Sequence, residues 1–339
     1  MVQDHLVKEQ GRIGPQKNQK ARNRMGWYAL ASYRRDDEIL SALVLGERLF
    51  ALESAATALS ITADWVHASI DELLQDWMGV RPKLDELAQA AANAIDTLEA
   101  LELGSNDIAP PLRPTRIFCA AANYASHARE MGTVLAEKTE RHPYMFMKPD
   151  SAIIGHNDTV ILPNLSSQVD WEIELAAVIG KSARYVSADE GLDYVAGYSV
   201  INDISARDLN VRDDYPFKMD WFQGKCFDTF APLGPWLVPT SCIDDPYALD
   251  MRLTVNDEPM QEEVTGAMIF NISEQIEYLS SILTLRPGDV IATGTPTGVG
   301  MSRGIFLKPG DVMEASITQI GCLSNPVSAE EADTVKEES

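Results

Sequence analysis

The sequence predicts an α+β fold that is mainly β, and three patterns support this prediction. Residues 27–52 form three short segments of alternating polar and apolar residues, as is typical of a small β meander. Short apolar runs at 117–121, 144–147 and 290–292 are typical of buried strands. Apolar residues at helical spacing are confined to a few stretches, of which residues 70–98 are the longest.

Two apolar stripes at helical spacing predict two helices before residue 100. Pro82 is expected to separate them, because proline has no amide hydrogen to donate inside a helix. The first stripe comprises Ile70, Leu73, Leu74 and Trp77, and the second comprises Leu84, Leu87, Ala88, Ala91, Ile95 and Leu98.

The 339 residues are enough for one large domain and a smaller one. A proline-rich stretch at 110–114 cannot continue a helix and predicts a boundary. We therefore expect a flexible basic arm at 1–25, a small N-terminal α/β domain at 26–110, a larger domain at 111–327 and an acidic disordered tail at 328–339.

Charge and composition exclude several classes of function. A formal net charge of −23 argues against nucleic acid and anionic membrane surfaces as partners, because both would repel the chain. The chain has neither an apolar run of membrane-spanning length nor the apolar core of a signal peptide, so a cytoplasmic location is predicted. The cysteines lie too far apart for a zinc motif and are expected to be reduced thiols: Cys119, Cys226, Cys242 and Cys322.

Three acidic residues predict a metal site. Residues 169–175 alternate as a strand would, which places Asp170, Glu172 and Glu174 on one face, about 6.5 to 7 Å apart along it. Asp203 adds a carboxylate from a run that resembles a buried strand. Oxygen ligands of this kind suit Mg²⁺, Mn²⁺ or Ca²⁺. The alternative is a half-solvated strand with surface glutamates.

A histidine and a glutamate three residues apart form a second candidate site. His127 and Glu130 would share one face of a short helix capped by Asn123 or Ser126. A carboxylate beside an imidazole fixes its tautomer and favours its use as a base. The alternative is an exposed helix with an ordinary ion pair.

Two further features point to an anionic ligand. Lys225 lies among aromatic residues, where a desolvated lysine can act as an acid or as a cation beside an anionic substrate. The glycine-rich residues 293–300 follow a buried strand and could cradle a carboxylate with backbone N–H groups. The alternatives are a surface lysine and a plain turn.

The order of these motifs along residues 115–327 resembles the fumarylacetoacetate hydrolase superfamily, in its branch of acylpyruvate hydrolases and 2-hydroxyhepta-2,4-diene-1,7-dioate isomerases. The motifs are Asn123-Tyr124 with His127 and Glu130, Lys148-Pro149, Glu172-x-Glu174, Asp203 with Ser205-Ala206-Arg207-Asp208, Gly224-Lys225-x-Phe227-Asp228, and Thr293-Gly294-Thr295-Pro296-x-Gly298-Val299-Gly300.

This resemblance implies a rolled β-sandwich catalytic domain, a homodimer, and Mg²⁺ as cofactor, with Mn²⁺ or Ca²⁺ possible. Departures from the family pattern occur at Ala122, where glycine is common, at Asn210, where some hydrolases have glutamine, and in a lid at 131–143. The implied roles are metal ligands for Glu172, Glu174 and Asp203; catalytic groups for His127, Glu130, Arg207 and Lys225; and substrate contacts for Tyr124, Lys148, Asn210, Gln223 and Thr295.

The implied activity is hydrolysis of a C–C bond in a β-diketo acid of the acylpyruvate or fumarylpyruvate type, through an enolate, in the catabolism of aromatic compounds or sugar acids. The small-molecule substrate would thus be a 2-oxo acid. One alternative is an isomerase or decarboxylase of a related 2-oxo or 2-hydroxy-dienoic diacid. A second alternative is an inactive dimeric scaffold.

Overall fold

The computed structural model describes residues 26–36, 38–104 and 107–331. The basic arm predicted at 1–25 and the part of the predicted tail at 332–339 lie outside the described residues. The strands within them are β1 (Ala29–Arg35), β2 (Glu38–Leu45), β3 (Arg48–Ala51), β4 (Ile108–Ala109), β5 (Ile117–Ala121), β6 (Tyr144–Lys148), β7 (Ile153–Ile154), β8 (Val160–Leu162), β9 (Val169–Asp170), β10 (Ile173–Ile179), β11 (Val195–Asn202), β12 (Ser205–Ala206), β13 (Ala231–Pro239), β14 (Asp250–Val255), β15 (Glu258–Val264), β16 (Val290–Ala292), β17 (Val312–Ile317) and β18 (Gly321–Ala329).

The helices are short, apart from one that follows the meander. Helix α6 (Ile272–Ile282) begins at a capping box, in which Asn271 Oδ1 accepts from Glu274 N and Glu274 Oε2 accepts from Asn271 N. The helices are α1 (Leu52–Ala58), α2 (Ile70–Gln75), α3 (Trp77–Asn93), α4 (Ala125–Glu130), α5 (Trp221–Lys225), α6 (Ile272–Ile282) and α7 (Gly300–Arg303).

Two large sheets pack face to face. The first has the order β3-β2-β1-β13-β11-β10-β16-β5-β6, with β4 paired to β1 and β7 paired to β13. The second has the order β15-β14-β17-β18-β8, and its strands β17 and β18 contact β11 and β13 of the first. The apolar residues between the sheets, such as Trp236 and Leu253, are buried. The predicted α+β, mainly β sandwich is therefore confirmed.

The N-terminal meander forms as predicted and joins the first sheet. Strand β1 pairs with β13 through Leu30 and Leu237, and Ser32 Oγ donates to Pro111 O at 2.9 Å. The predicted boundary near residue 110 is thus crossed by one sheet and by one hydrophobic core. The division into a small and a large domain stays a prediction. Strand β18 includes Ser328 and Ala329, which were expected in the tail.

The position of the break between the first two long helices differs from the expectation. Helices α2 and α3 meet at Asp76, whereas Pro82 lies inside α3, so the prediction that Pro82 separates them is wrong. Proline removes the hydrogen bond to the carbonyl group four residues earlier. That residue is Met78, whose side chain is exposed, and α3 continues to Asn93 without this hydrogen bond. Trp77 consequently belongs to α3.

The acidic stretch at 169–175 was expected to form one continuous strand. In the structure this strand is interrupted. Strand β9 pairs with β12, whereas β10 pairs with β11, and the chain leaves both pairings at Trp171 and Glu172. The break is stabilised by Asn202, whose Oδ1 accepts from Glu172 N at 2.8 Å. Trp171 is fully buried and donates from Nε1 to Gly298 O at 3.2 Å. The bend turns Asp170 to partners different from those of Glu172.

Asn123 ties three segments together rather than capping α4. That helix begins after Tyr124 without a side-chain cap, so the expected caps at Asn123 and Ser126 are wrong. Asn123 Nδ2 instead donates to Phe270 O at 2.9 Å and to Thr293 O at 2.7 Å, and its Oδ1 accepts from Phe270 N at 2.8 Å. Three hydrogen bonds to buried backbone groups stabilise this position of the side chain more than a single capping bond at an exposed helix end would.

Asn123→Ala is expected to lower the free energy of unfolding by about 1 to 3 kcal/mol, because Phe270 N loses its hydrogen-bond partner. The carbonyl groups of Phe270 and Thr293 would keep only their bonds from Gln275 Nε2. Urea denaturation would measure the change. Asn93→Ala, at the exposed end of α3, is the matched control and should change the free energy by no more than about 0.5 kcal/mol. Equal effects of the two substitutions would contradict this account of Asn123.

A buried histidine predicts acid sensitivity of the fold. His156 is 8% exposed, its Nδ1 accepts from Ser324 N at 3.1 Å, and burial lowers its pKa to about 4. An unfolded histidine has a pKa near 6.5, so between these values the unfolded chain binds a proton that the folded chain does not. Its contribution to stability should be complete above about pH 6.5 and be lost as the pH falls towards 4, at about 1.4 kcal/mol per unit of pKa shift.

His156→Gln would test this by removing the titration. The difference in free energy of unfolding between wild type and variant should shrink from pH 7 to pH 4, measured by urea denaturation at each pH. Gln75→Ala, at an exposed side chain that carries no titratable group, should give a pH-independent difference. A pH-independent difference for His156→Gln as well would show that the prediction is wrong.

Two predictions made from composition can be compared with the described residues. The four cysteines are free thiols, of which Cys119, Cys242 and Cys322 are buried and Cys226 is partly exposed, as expected. Among the helices in the described residues, none has the length and apolar character needed to cross a lipid bilayer. The cytoplasmic location stays a prediction.

Candidate active site

Three carboxylates meet at the end of the β10–β11 pair. Glu174 lies in β10, Glu172 lies at the bend before it, and Asp203 follows the last residue of β11. They are between 1% and 4% exposed, and one carboxylate oxygen of each lies within 4.8 Å of the others. This acidic triad is the group in the described residues whose geometry suits a metal ion. Hard oxygen ligands of this kind suit Mg²⁺ or Mn²⁺.

Three cations surround the triad, and they contact two of its members. Lys225 Nζ donates to Glu172 Oε2 and to Asp203 Oδ2, both at 2.6 Å. Arg207 Nη2 lies 2.6 Å from Glu172 Oε1, and its Nε donates to Asp170 Oδ2 at 2.8 Å. These bonds explain why Lys225 is buried rather than on the surface.

Lys148, at the end of β6, contacts the other carboxylate oxygen of Asp203. Its Nζ donates to Asp203 Oδ1 at 2.6 Å and to Ile204 O at 3.0 Å, and its side chain is fully buried. Because a buried ammonium group needs such partners, Lys148 holds one oxygen of Asp203 in place. The contact explains the strand-end position of Lys148, the last residue of β6.

Glu174 is the member of the triad for which no cation contact is found among the described residues. Its Oε2 accepts from Gly294 N at 2.7 Å. Burial, together with the charges of Asp203 and Glu172, raises the pKa of Glu174 well above its usual value. Burial also tends to raise the pKa of Glu172, but Arg207 and Lys225 outweigh it and hold that pKa below its usual value. The triad thus lacks positive charge at Glu174, and a divalent cation fits this arrangement.

The glycine-rich residues 293–300 bind carboxylates of the protein itself. Gly294 N donates to Glu174, Gly298 N donates to Glu130 Oε1 at 2.9 Å, and Gly300 N donates to Asp170 Oδ1 at 2.7 Å. Gly294 has a φ of +101°, and a Cβ there would lie 2.6 Å from Asn123 Cβ. Glycine is therefore required for this close approach. These N–H groups position the site's own acids instead of cradling a substrate carboxylate.

His127 and Glu130 lie on α4 beside the triad. His127 is 7% exposed, and its Nδ1 lies 3.5 Å from Glu130 Oε2, slightly beyond a normal hydrogen bond. Ser302 Oγ donates to Glu130 Oε1 at 2.7 Å. Burial opposes ionisation of Glu130, but contacts with His127, Ser302 and Gly298 N outweigh it and lower its pKa to about 2. Glu130 is therefore a carboxylate at neutral pH.

Most of the predicted site residues line one cavity of about 480 Å³. Much of its remaining wall is apolar or aromatic and includes Met131, Leu135, Phe146, Trp221 and Phe270. The predicted residues that line it are His127, Glu172, Glu174, Asp203, Arg207, Asn210, Lys225 and Thr295.

Other predicted residues lie outside this lining. Lys148 contacts Asp203, Glu130 is held beside His127, and Tyr124 is fully buried with a hydroxyl that finds no partner among the described residues. Gln223 is exposed and lines a separate surface cavity. Whether Tyr124, Lys148 and Gln223 contact substrate stays a prediction.

The two polar side chains predicted to contact substrate inside the cavity differ in their hydrogen bonds. Asn210 Oδ1 is buried without a partner among the described residues, so it can accept from a ligand. Thr295 Oγ1 donates to Ile173 O at 2.9 Å and accepts from Gln261 Nε2 at 2.8 Å, so its hydroxyl is already engaged.

Sequence reasoning missed Gln261 and Arg141. Gln261 is fully buried in β15 and accepts from Ile173 N at 3.0 Å, which fixes the strand that carries Glu174. A glutamine in an otherwise polar hairpin gives no sign of this. Arg141 lines the cavity from a segment without periodic pattern. Ala122, a departure from the glycine common at this position of the family pattern, has a φ of 48°, in the left-handed region that favours glycine.

Comparison with known proteins gives consistent matches. Residues 116–328 match the family model described as fumarylacetoacetate (FAA) hydrolase C-terminal. The mitochondrial oxaloacetate tautomerase Fahd2a of Rattus norvegicus is 41% identical over 222 residues, which are 65% of this chain and 68% of that protein.

Two solved structures are similar over most of the chain. A probable 2-hydroxyhepta-2,4-diene-1,7-dioate isomerase from Mycobacterium abscessus is 29% identical, with a TM-score of 0.70 over 90% of this chain and 100% of that one. Maleylpyruvate hydrolase from Sphingobium sp. SYK-6, in complex with manganese(II) and pyruvate, is 29% identical, with a TM-score of 0.67 over 89% of this chain and 100% of that one.

Proposed function

Because this chain belongs to the fumarylacetoacetate hydrolase family, we propose that it is a metal-dependent hydrolase that cleaves a C–C bond in a β-diketo acid, of the acylpyruvate or fumarylpyruvate type. The observation that carries the proposal is that one cavity is lined by both the acidic triad and His127. A 2-oxo acid and a water molecule can therefore be held next to a base and next to cations. Relatives in the family include hydrolases, isomerases and tautomerases.

Glu172, Glu174 and Asp203 would hold the cation, which we propose to be Mg²⁺ or Mn²⁺. When bound there, it would supply Lewis-acid stabilisation for negative charge on the 2-oxo acid end of the substrate. Support comes from the uncompensated carboxylate of Glu174 and from the relative whose structure contains manganese(II) and pyruvate.

His127 would act as the general base towards water. Glu130 is ionised and lies beside His127 Nδ1, so it favours the tautomer with the proton on Nδ1 and leaves Nε2 free to accept. The present distance of 3.5 Å would shorten once a substrate is bound. Water oxygen would then bond to the distal carbonyl carbon while its proton passes to His127.

Lys225 and Arg207 would stabilise the tetrahedral oxyanion, since both cations line the cavity. As the C–C bond breaks, its electron pair stays with the pyruvate part as the enolate. His127 would return its proton to that carbon, and the products would be a carboxylic acid and pyruvate. The catabolism of aromatic compounds or sugar acids is the setting that we propose for this reaction.

The test is to mix the protein with acetylpyruvate and Mg²⁺ and to follow the loss of enol absorbance together with the formation of pyruvate. Formation of equal amounts of acetate and pyruvate is the expected result. Tight metal binding without turnover of any acylpyruvate or oxaloacetate would favour an inactive scaffold instead. Consumption of oxaloacetate with release of CO₂ would favour a decarboxylase.

Keto–enol tautomerisation of a 2-oxo diacid is the second candidate. The observation in its favour is the identity of 41% to an oxaloacetate tautomerase. His127 would move a proton at the carbon next to the keto group, and no C–C bond would break. Faster interconversion of enol and keto oxaloacetate, without formation of pyruvate, would identify this activity.

The predicted homodimer also stays a proposal. Its support is a set of exposed aromatic side chains, Tyr144, Phe217 and Phe222, which are between 65% and 80% exposed. Contiguous patches of exposed apolar side chains mark interaction surfaces, whereas single exposed apolar side chains are common on any protein. Light scattering combined with size-exclusion chromatography would show whether the particle has twice the chain mass.

A further inference from the structure

The segment 131–143, here called the lid segment, forms one wall of the cavity. It connects α4 to β6, and its residues Met131, Leu135, Arg141 and His142 line the cavity. This wall is distinct from the acidic triad, which comes from the strand ends. A substrate that reaches from the triad to the lid segment must be larger than pyruvate, and the cavity volume of about 480 Å³ is typical of sites for larger ligands.

The lid segment is held in place by contacts with the region around α6. Lys138 Nζ lies 2.7 Å from Glu274 Oε1, and His142 stacks on Tyr278 with ring centroids 5.7 Å apart. Lys138 Nζ also lies 5.4 Å from the centre of the Phe270 ring. Phe270 is itself fixed by its backbone bonds to Asn123. The lid segment therefore presents its side chains on a well-supported wall.

Arg141 brings a positive charge to this wall, and no acid in the part of the chain that the structure describes forms an ion pair with it. Its guanidinium carbon lies 5.4 Å from the centre of the Phe270 ring. Its Nε is buried and has no hydrogen-bond partner among the described residues. The other two cations that line the cavity, Arg207 and Lys225, are each bonded to carboxylates. A buried guanidinium N–H without a partner is unfavourable unless a ligand supplies one.

We propose that Arg141 binds a second, distal carboxylate of the substrate and so selects β-diketo acids whose acyl group ends in a carboxylate. This inference rests on the proposed function and narrows its substrate class. The planar guanidinium group offers parallel N–H donors that match the two oxygens of a carboxylate. The contact with the Phe270 ring uses none of the guanidinium N–H donors for a hydrogen bond, so they are available to a carboxylate. The apolar wall between the two charged ends would contact the carbon chain.

The test compares kcat/KM for fumarylpyruvate, which has a distal carboxylate, with kcat/KM for acetylpyruvate, which has none. In Arg141→Gln, the ratio of the two values should fall by about 10- to 100-fold, because a charge-assisted hydrogen bond is lost. Arg141→Lys should recover part of this ratio, since it keeps the charge and loses the fork. Lys138→Gln is the matched control: it removes the nearby ion pair with Glu274, and the ratio should not change.

The outcomes separate this inference from the proposed function. An equal loss on both substrates in Arg141→Gln would mean that Arg141 only fastens the lid segment, and an unchanged ratio would mean that it makes no substrate contact. If the wild type turns over neither acid, the proposed function fails. Calorimetric measurement of the binding of the two acids in the presence of Mn²⁺ then decides whether Arg141 binds a distal carboxylate. Tighter binding of fumarylpyruvate that Arg141→Gln abolishes would support the inference, and equal binding of both acids would overturn it.

Discussion

Glu174→Gln is expected to weaken binding of Mn²⁺ or Mg²⁺ by more than the roughly 10- to 100-fold caused by loss of an outer-shell partner of a metal ligand. The reason is that Glu174 is the triad member without a cation contact among the described residues. Its side chain is buried next to Asp203 and Glu172, so its charge is unfavourable until a metal ion is present. Glutamine has nearly the same shape, removes that charge and keeps an oxygen that can accept from Gly294 N.

The same substitution should leave the metal-free protein at least as stable as the wild type. Glu172→Gln is the informative contrast, because it weakens the charged contacts with Arg207 and Lys225 and should destabilise the metal-free fold by about 1.5 to 3 kcal/mol. Calorimetric titration with Mn²⁺ and urea denaturation give the two readouts. Glu258→Gln, at an exposed glutamate in β15, controls for the loss of one negative charge. Unchanged Mn²⁺ affinity in Glu174→Gln would remove the basis for the proposed metal site.

His127→Gln is expected to lower kcat by about 10² to 10⁴-fold, which is the usual effect of losing a general base. The metal affinity should stay close to that of the wild type, because His127 is not one of the triad carboxylates. Glutamine can still bond to Glu130 but cannot accept and return a proton. Stopped-flow assays with saturating substrate would measure kcat, and Mn²⁺ titration would measure binding.

Arg129→Gln is the matched control for His127, since it changes an exposed side chain on the same short helix. It should leave kcat nearly unchanged. A His127→Gln protein that keeps wild-type kcat would assign the base to another residue. Parallel losses of kcat and of metal affinity would instead mean that His127 supports the triad.

Features with a local physical cause could be predicted from the sequence. The N-terminal meander follows from alternation over a few residues, and the start of α6 follows from Asn271 and Glu274, which satisfy each other's backbone groups. The break between β9 and β10 could not be predicted in this way. It depends on Asn202, which lies 30 residues further along the chain, at the end of β11, and whose side chain accepts from Glu172 N.

The candidate site shows the same limit. The triad carboxylates and His127 were identifiable because the order of their motifs along the chain resembles that of a known family, and the structure places them around one cavity. The identity of the groups that hold them was not identifiable. The glycine-rich loop was interpreted as a cradle for a ligand, whereas its N–H groups contact carboxylates of the chain. Arg141 gave no signal, because its meaning depends on Phe270, far along the sequence.

The pairing of β1 with β13 limits how far the chain can be shortened from its N-terminal side. Expression of the matched family region alone, starting after residue 110, would remove β1 and leave part of the edge of β13 uncovered. Uncovered strand edges recruit strands from other molecules, so such a fragment is a candidate for aggregation rather than a convenient minimal enzyme. Crystallisation and directed evolution should accordingly start from a chain that retains the meander.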